Sequence, residues 1–197
     1  GSVGVIQASV RVQASSVEGH FVVYAQDTAA ADLGVMEGER ILSRFNRLFG
    51  LSHPKKTAPI VLVIGPSDEK FTGDRGVVRV FRKGPSPKIQ VNWDEVPLLT
   101  EAFHRGVVRA LCVRQVVDAM NDAQREKAVL RVPIWVTEGV AALIAEPNLV
   151  AETFSRATLL ARTEPNLSFD EVIAELDGKS QLNLNERSLA AVLCRAL

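Results

Sequence analysis

Hydrophobic positions along the chain change their period twice. Val3, Val5, Val10 and Val12 alternate through Val3 to Gln13, and His20–Ala25 (HFVVYA) follows after Ser15-Ser16. Both segments read as strands, because alternation at a period of two marks a half-buried strand. Asp27-Thr28 supplies an N-cap for a long helix over about 29–49, with apolar positions at Leu33, Met36, Ile41, Leu42, Phe45, Leu48 and Phe49. Gly50 is the expected helix stop, since a left-handed closing residue favours glycine. Pro59–Ile64 (PIVLVI) is wholly apolar, as a central strand buried on both faces should be. Val77–Phe81 and Lys88–Val91 are further strands, separated by Gly84-Pro85-Ser86-Pro87.

From Asp94 onward the period becomes helical and stays so. Helices are expected at about 95–119, 133–146, 150–162, 168–177 and 186–196, with Met120 to Arg131 as a polar linker or helix extension. Strands mixed with one helix, then helices only, predict an α+β fold and not alternating βαβ units. The chain is 197 residues long, which suits a single domain over 1–197: a sheet-rich part at about 1–93 and a helical part at about 94–197.

Composition then removes several functions. Apolar residues make up 47% and charged residues 23%, the balance of a folded chain. Lys+Arg and Asp+Glu both number 23, so the basic footprint of a nucleic-acid binder is absent. No apolar run approaches the roughly 18 residues that span a bilayer. The opening Gly1-Ser2 reads as a cloning remnant, so the sequence is silent on any signal peptide ahead of it. Two cysteines, Cys112 and Cys194, exclude a cysteine zinc site; they are either free buried thiols or a single bridge. Only His20, His53 and His104 are open to imidazole chemistry.

Two segments carry candidate chemistry. Thr100-Glu101-Ala102-Phe103-His104 lies in the helix starting near Asp94. Residues four apart share a helical face, ~40° from one another, so Thr100 and His104 sit together. Leu99, Phe103, Gly106, Val107 and Ala110 form the apolar stripe, with Thr100 and His104 on its shoulder and Glu101 further round. The second segment is Trp135-Val136-Thr137-Glu138-Gly139-Val140-Ala141.

The first segment resembles H-E-x-x-H, in which two histidines bind zinc and the glutamate polarises the attacking water, except that threonine stands at the first histidine. With the second segment and the order of elements, the chain resembles the gluzincin branch of zinc metallopeptidases, within it the peptidase-MA-like proteins of bacteria. The resemblance covers most of the chain. It implies a zincin-like fold: an N-terminal twisted mixed sheet with a long helix, then a motif helix and a C-terminal helical lobe, with the site between them. It also implies that His104 is a metal ligand, Glu138 the further ligand 34 residues on, Glu101 the general base, and Thr100 the place of the lost ligand. A second register, with His104 as first histidine, Arg105 at the base and Val108 at the second ligand, costs two identities where the first costs one.

A catalytic zinc keeps three protein ligands and a water. With Thr100 in place of one ligand, the expected cofactor is none or weakly bound zinc. The expected function is a degenerate, impaired or inactive peptidase homologue with a cleft for polypeptide or glycoprotein, and Lys88–Val91 as an edge for extended peptides. The alternative is an active protein or glycoprotein hydrolase, using Glu101 and Glu138 with a weak metal at His104 or as a metal-free carboxylate pair. The resemblance implies an extracellular or periplasmic protein; the oligomeric state stays open.

Each residue also has an ordinary explanation. His104 suits a hydrogen-bonded core histidine, Glu101 an i,i+4 pair with Arg105, and Glu138 a first-turn acid complementing the helix dipole. Trp135 suits the core, and Gly106 and Gly139 suit close backbone packing. Gly65-Pro66-Ser67 lacks the lysine of a phosphate loop, and no Gly-x-Ser-x-Gly elbow occurs.

Overall fold

The computed structural model describes residues 11–51, 58–65, 76–81, 88–93, 101–121, 123–124, 132–164 and 166–197. The strands are β1 (Val12–Ser15), β2 (Phe21–Ala25), β3 (Ile60–Ile64), β4 (Gly76–Phe81) and β5 (Lys88–Trp93). The helices are α1 (Thr28–Phe49), α2 (Glu101–Asp118), α3 (Ile134–Leu143), α4 (Pro147–Thr163), α5 (Phe169–Leu176) and α6 (Leu184–Ala196). The described residues therefore form an α+β fold with one five-stranded mixed sheet, ordered β1-β2-β3-β5-β4.

β2, β3 and β5 run parallel at the centre, and the outer strands β1 and β4 pair antiparallel with them. β3 is buried along its whole length, as its unbroken apolar run requires. Two expectations need correction. β5 is not an edge: it sits between β3 and β4, which leaves β1 and β4 as the edges among the described residues. The first strand runs on through Ser15, up to the turn Ser16–Gly19, and its expected residues 3–10 lie outside the described residues. β2–α1–β3 is a single βαβ crossover within the α+β order of elements.

Local signals set the bounds of α1. Asp27 accepts a hydrogen bond from the Ala30 amide at 2.8 Å, satisfying one of the orphan donors of the first turn. At the other end Gly50 takes φ 64°, and the amides of Gly50 and Leu51 close on Arg47 and Asn46 carbonyls. The buried stripe differs from the expected one: it is Ala31, Gly34, Glu37, Gly38, Ile41 and Phe45, whereas Met36, Leu48 and Phe49 are exposed. The reason is close approach to the sheet. A Cβ at Gly34 would lie 2.9 Å from side-chain carbons of Val23 and Ile64, so the contact line takes the smallest residues.

α1 packs on β1, β2 and β3, and α2 packs on β4 and β5. The two helices also touch each other, which places both on one face of the sheet. Phe21, Val23, Leu62, Ile64, Ile89 and Val91 from the strands meet Ile41 and Phe45 of α1 and Phe103 and Val107 of α2 in the main core. A smaller cluster, Trp135, Val172, Leu176, Leu182, Ala190 and Leu193, holds the C-terminal helices together. α3 links the two: its Val140 and Ala141 belong to the first cluster and its Trp135 to the second.

The helical half departs from expectation mainly in where the chain breaks. One helix was expected over 133–146; instead α3 ends at Leu143 and α4 opens on Pro147, a favoured first helical residue. α5 begins with a full capping box between Ser168 and Glu171. Residues 95–100 and most of the linker 120–131 lie outside the described residues. No helix among the described residues is long and apolar enough to cross a membrane.

Candidate functional site

Between the α1/α2 layer and the C-terminal helices lies a cavity of about 170 Å3. α1 contributes Glu37, Arg40, Ile41 and Arg44 to its lining, and α2 contributes Glu101, Phe103, His104 and Arg105. Glu138, Ala141 and Ala142 come from α3, and Leu184, Arg187 and Ser188 from α6. Ala145, Glu146, Leu149 and Thr153 complete it from the α3–α4 turn and α4. The fold thus brings Glu101, His104 and Glu138 to one cavity. Thr100 lies outside the described residues.

His104 is mostly buried, and its Nε2 lies 2.8 Å from the carbonyl oxygen of Ala141. A carbonyl only accepts, so Nε2 carries the proton and donates it. Burial pushes the His104 pKa below its ordinary 6.5; the Ala141 bond opposes this, and the Arg40 and Arg44 charges lower it further. The imidazole is therefore neutral at pH 7.

Glu138 is the fifth residue of α3, not a first-turn acid, and only 7% of its side chain is exposed. Its Oε2 faces two guanidiniums, the Nε of Arg105 at 3.5 Å and the Nε of Arg187 at 3.3 Å. Burying a carboxylate is costly without such partners. Glu101, by contrast, is 69% exposed and pairs loosely with Arg105 at 3.7 Å, the expected i,i+4 pair. Arg105 thus stands between the two carboxylates.

The opposite wall carries a second ion cluster. Buried Glu37 accepts from Arg40 Nε at 2.5 and 3.0 Å. Glu146 bridges Arg40 Nη1 and, at 3.2 and 3.3 Å, Arg44 Nη2. Arg44 also donates to the Ile144 carbonyl at 3.3 Å. These charge-assisted bonds hold the Glu146 carboxyl below its ordinary range.

The His104 nitrogen that donates to Ala141 has no lone pair for a metal, whereas Nδ1 keeps its own, and the Glu138 oxygen nearest the cavity cations already has two positive neighbours. Among the described residues no group of three or more His, Cys, Asp or Glu is placed to hold a metal. His20 does not line the cavity; its Nδ1 bonds Glu39 at 3.0 Å. His53 lies outside the described residues.

The remaining candidates behave as structure. Trp135 is buried and donates from Nε1 to Asp177 at 2.8 Å. Gly139 allows α3 and α6 to touch, since a Cβ there would lie 2.5 Å from the Ala190 carbonyl oxygen. Cys112 and Cys194 are free, and burial pushes their thiols up to about 12 and about 11, which leaves little reactive thiolate.

Sequence reasoning missed Glu37, Arg40, Arg44, Glu146 and Arg187. One signal was there: Glu37 is a charge four residues before Ile41, on the buried stripe of α1. A scan against family models and searches of curated proteins and of solved structures found no match to this chain.

Proposed function

We propose that the chain is a zincin-like peptidase homologue without hydrolytic turnover, whose cleft between the α1/α2 layer and the C-terminal helices binds polypeptide or glycoprotein outside the cytoplasm. The observation that supports this best is Glu138 held between Arg105 and Arg187. In the gluzincin resemblance this carboxylate faces a metal; here two organic cations supply the positive charge. His104 fits the same reading, because its Nε2 donates to the chain itself.

A metal-free carboxylate mechanism has less support. It needs one carboxyl to hold a proton and the other to stay ionised near the same substrate atom. Arg105 lies between Glu101 and Glu138 and pairs with both, and a guanidinium neither gives nor takes a proton near neutral pH.

The test is metal content together with cleavage of protein and mucin-type substrates, with and without a chelator and in Glu101→Gln. The expected result is substoichiometric zinc and no cleavage in any sample. Chelator-sensitive cleavage lost in Glu101→Gln overturns the reading, and chelator-resistant cleavage lost in the same variant establishes the carboxylate mechanism.

A further inference from the structure

The size of the cavity restricts what the cleft can hold. An apolar cavity of about 150 Å3 takes a molecule the size of benzene. At about 170 Å3 this one admits a single side chain with its backbone group, not a run of polypeptide. Its wall is mixed: Ile41, Phe103, Leu149 and Leu184 offer apolar surface, and guanidiniums stand beside them.

Arg105 and Arg187 have donors to spare. Each guanidinium carries five N–H donors in a fixed fork. Among the described residues their contacts are ion pairs at 3.3 to 3.7 Å, and the buried Nε of Arg187 has no hydrogen-bond partner. Buried donors without acceptors cost stability, and the cost is larger for charged groups. Arg105 and Arg187 share one buried carboxylate, Glu138, while Glu101 meets Arg105 from solvent. A single added carboxylate would meet their remaining donors. A dianion is disfavoured, since buried Glu37 and Glu138 also line the cavity.

Glu146, at the α3–α4 turn, is tied to Arg40 and Arg44 of α1 and lines the cavity. A space for one residue fits a chain end better than a through-running segment.

We propose that the cavity is a single-residue subsite for the C-terminus of a polypeptide: Arg105 and Arg187 bind its terminal carboxylate, and the apolar wall takes a leucine- or phenylalanine-sized last side chain. This rests on the reading of the cleft as a polypeptide-binding one without turnover. It goes beyond that reading by naming which part of the polypeptide is recognised.

The test compares one fluorescent hexapeptide ending in leucine as the free acid and as the C-terminal amide, by anisotropy with the intact chain. The acid is expected to bind at least tenfold more tightly. Arg187→Gln is expected to remove that difference, with Arg187→Lys in between because it keeps the charge and loses the fork. Ala145→Phe, which fills the cavity and leaves the guanidiniums alone, is expected to weaken the acid at least tenfold; circular dichroism checks each variant's folding. Equal affinity for acid and amide, or binding of neither, overturns the proposal. So does inorganic phosphate binding as tightly as the peptide acid, which assigns the site to a small anion. Cleavage of the peptide, read in the same samples by mass spectrometry, overturns the absence of turnover and leaves the acid-to-amide ratio to judge the subsite.

Discussion

The two packed regions of this molecule are built by different means. Around the sheet, strands and two helices contribute Phe, Ile, Leu and Val to one large cluster, and β3 is buried from end to end. Among the C-terminal helices the cluster is small, α4 buries only Ala157, and Leu159, Phe169 and Leu184 stay exposed. The charged cavity lies at the seam. There Glu37 and Glu138 are buried at positions where a core would place apolar side chains; Arg40 of the same helix compensates Glu37, and Arg105 of α2 and Arg187 of α6 compensate Glu138. The first region carries stability by area removed from water; the second carries less of it and supplies the polar wall.

Matched core truncations test that contrast most strongly. Leu62 in β3 and Leu176 in α5 are each 1% exposed. Leu62→Ala is expected to cost about 3–5 kcal/mol in denaturant unfolding and Leu176→Ala about 2–3 kcal/mol, because a thin cluster collapses more readily around a cavity. An equal or larger cost for Leu176→Ala breaks the comparison.

Glycine replacements come next. Gly139→Ala drives a Cβ to 2.5 Å from a backbone oxygen of α6, and backbone cannot step aside. A loss of about 2–3 kcal/mol, seen as a lower Tm, is expected. Gly34→Ala meets side-chain carbons at 2.9 Å and regains roughly 1 kcal/mol of helix propensity, so its net effect is expected within about 1 kcal/mol.

Arg187→Gln removes one of the two guanidiniums described beside Glu138. Breaking a buried pair costs about 3–5 kcal/mol, but Arg187 is 28% exposed and one cation remains, so about 1–2 kcal/mol is expected by denaturant unfolding. No change would mean that the seam is not held by this pairing.

The smallest effect is a pH dependence. The folded pKa of His104 is depressed below 6.5, so the folded state favours the neutral ring. That contribution is present above about pH 6.5 and is lost as the pH falls through the lower folded value. Stability measured from pH 7 downward should decline across this window. In His104→Gln, which keeps a donor for Ala141, the decline should shrink. Glu146, also depressed, acts only in the more acid range below its ordinary 4.5.

Much of the fold was legible because its signals are local. The Asp27 cap, the Gly50 stop and the apolar run of β3 each depend on a few adjacent residues and physical chemistry that acts over one turn. The shoulder position of His104 and the exposure of Glu101 follow from helical periodicity. The α1 stripe was misread because large apolar residues were counted and small ones were not; close approach to a sheet selects glycine and alanine. The edge role of Lys88–Val91 failed for another reason. Strand order is set by non-local pairing, and β4 precedes β5 in sequence yet lies outside it in the sheet.

The sequence by itself determined the bounds of α1 and which strand is central. Only tertiary structure decided what surrounds Glu101, His104 and Glu138. Glu138 receives Arg187 from 49 residues downstream, and Arg40 receives Glu146 from 106 residues downstream. Neither pairing has a local signature, because a charge on a helix looks the same in sequence whether it faces solvent or a buried partner. The chemistry of this cavity depends on that difference, since desolvation gives the pairings their weight.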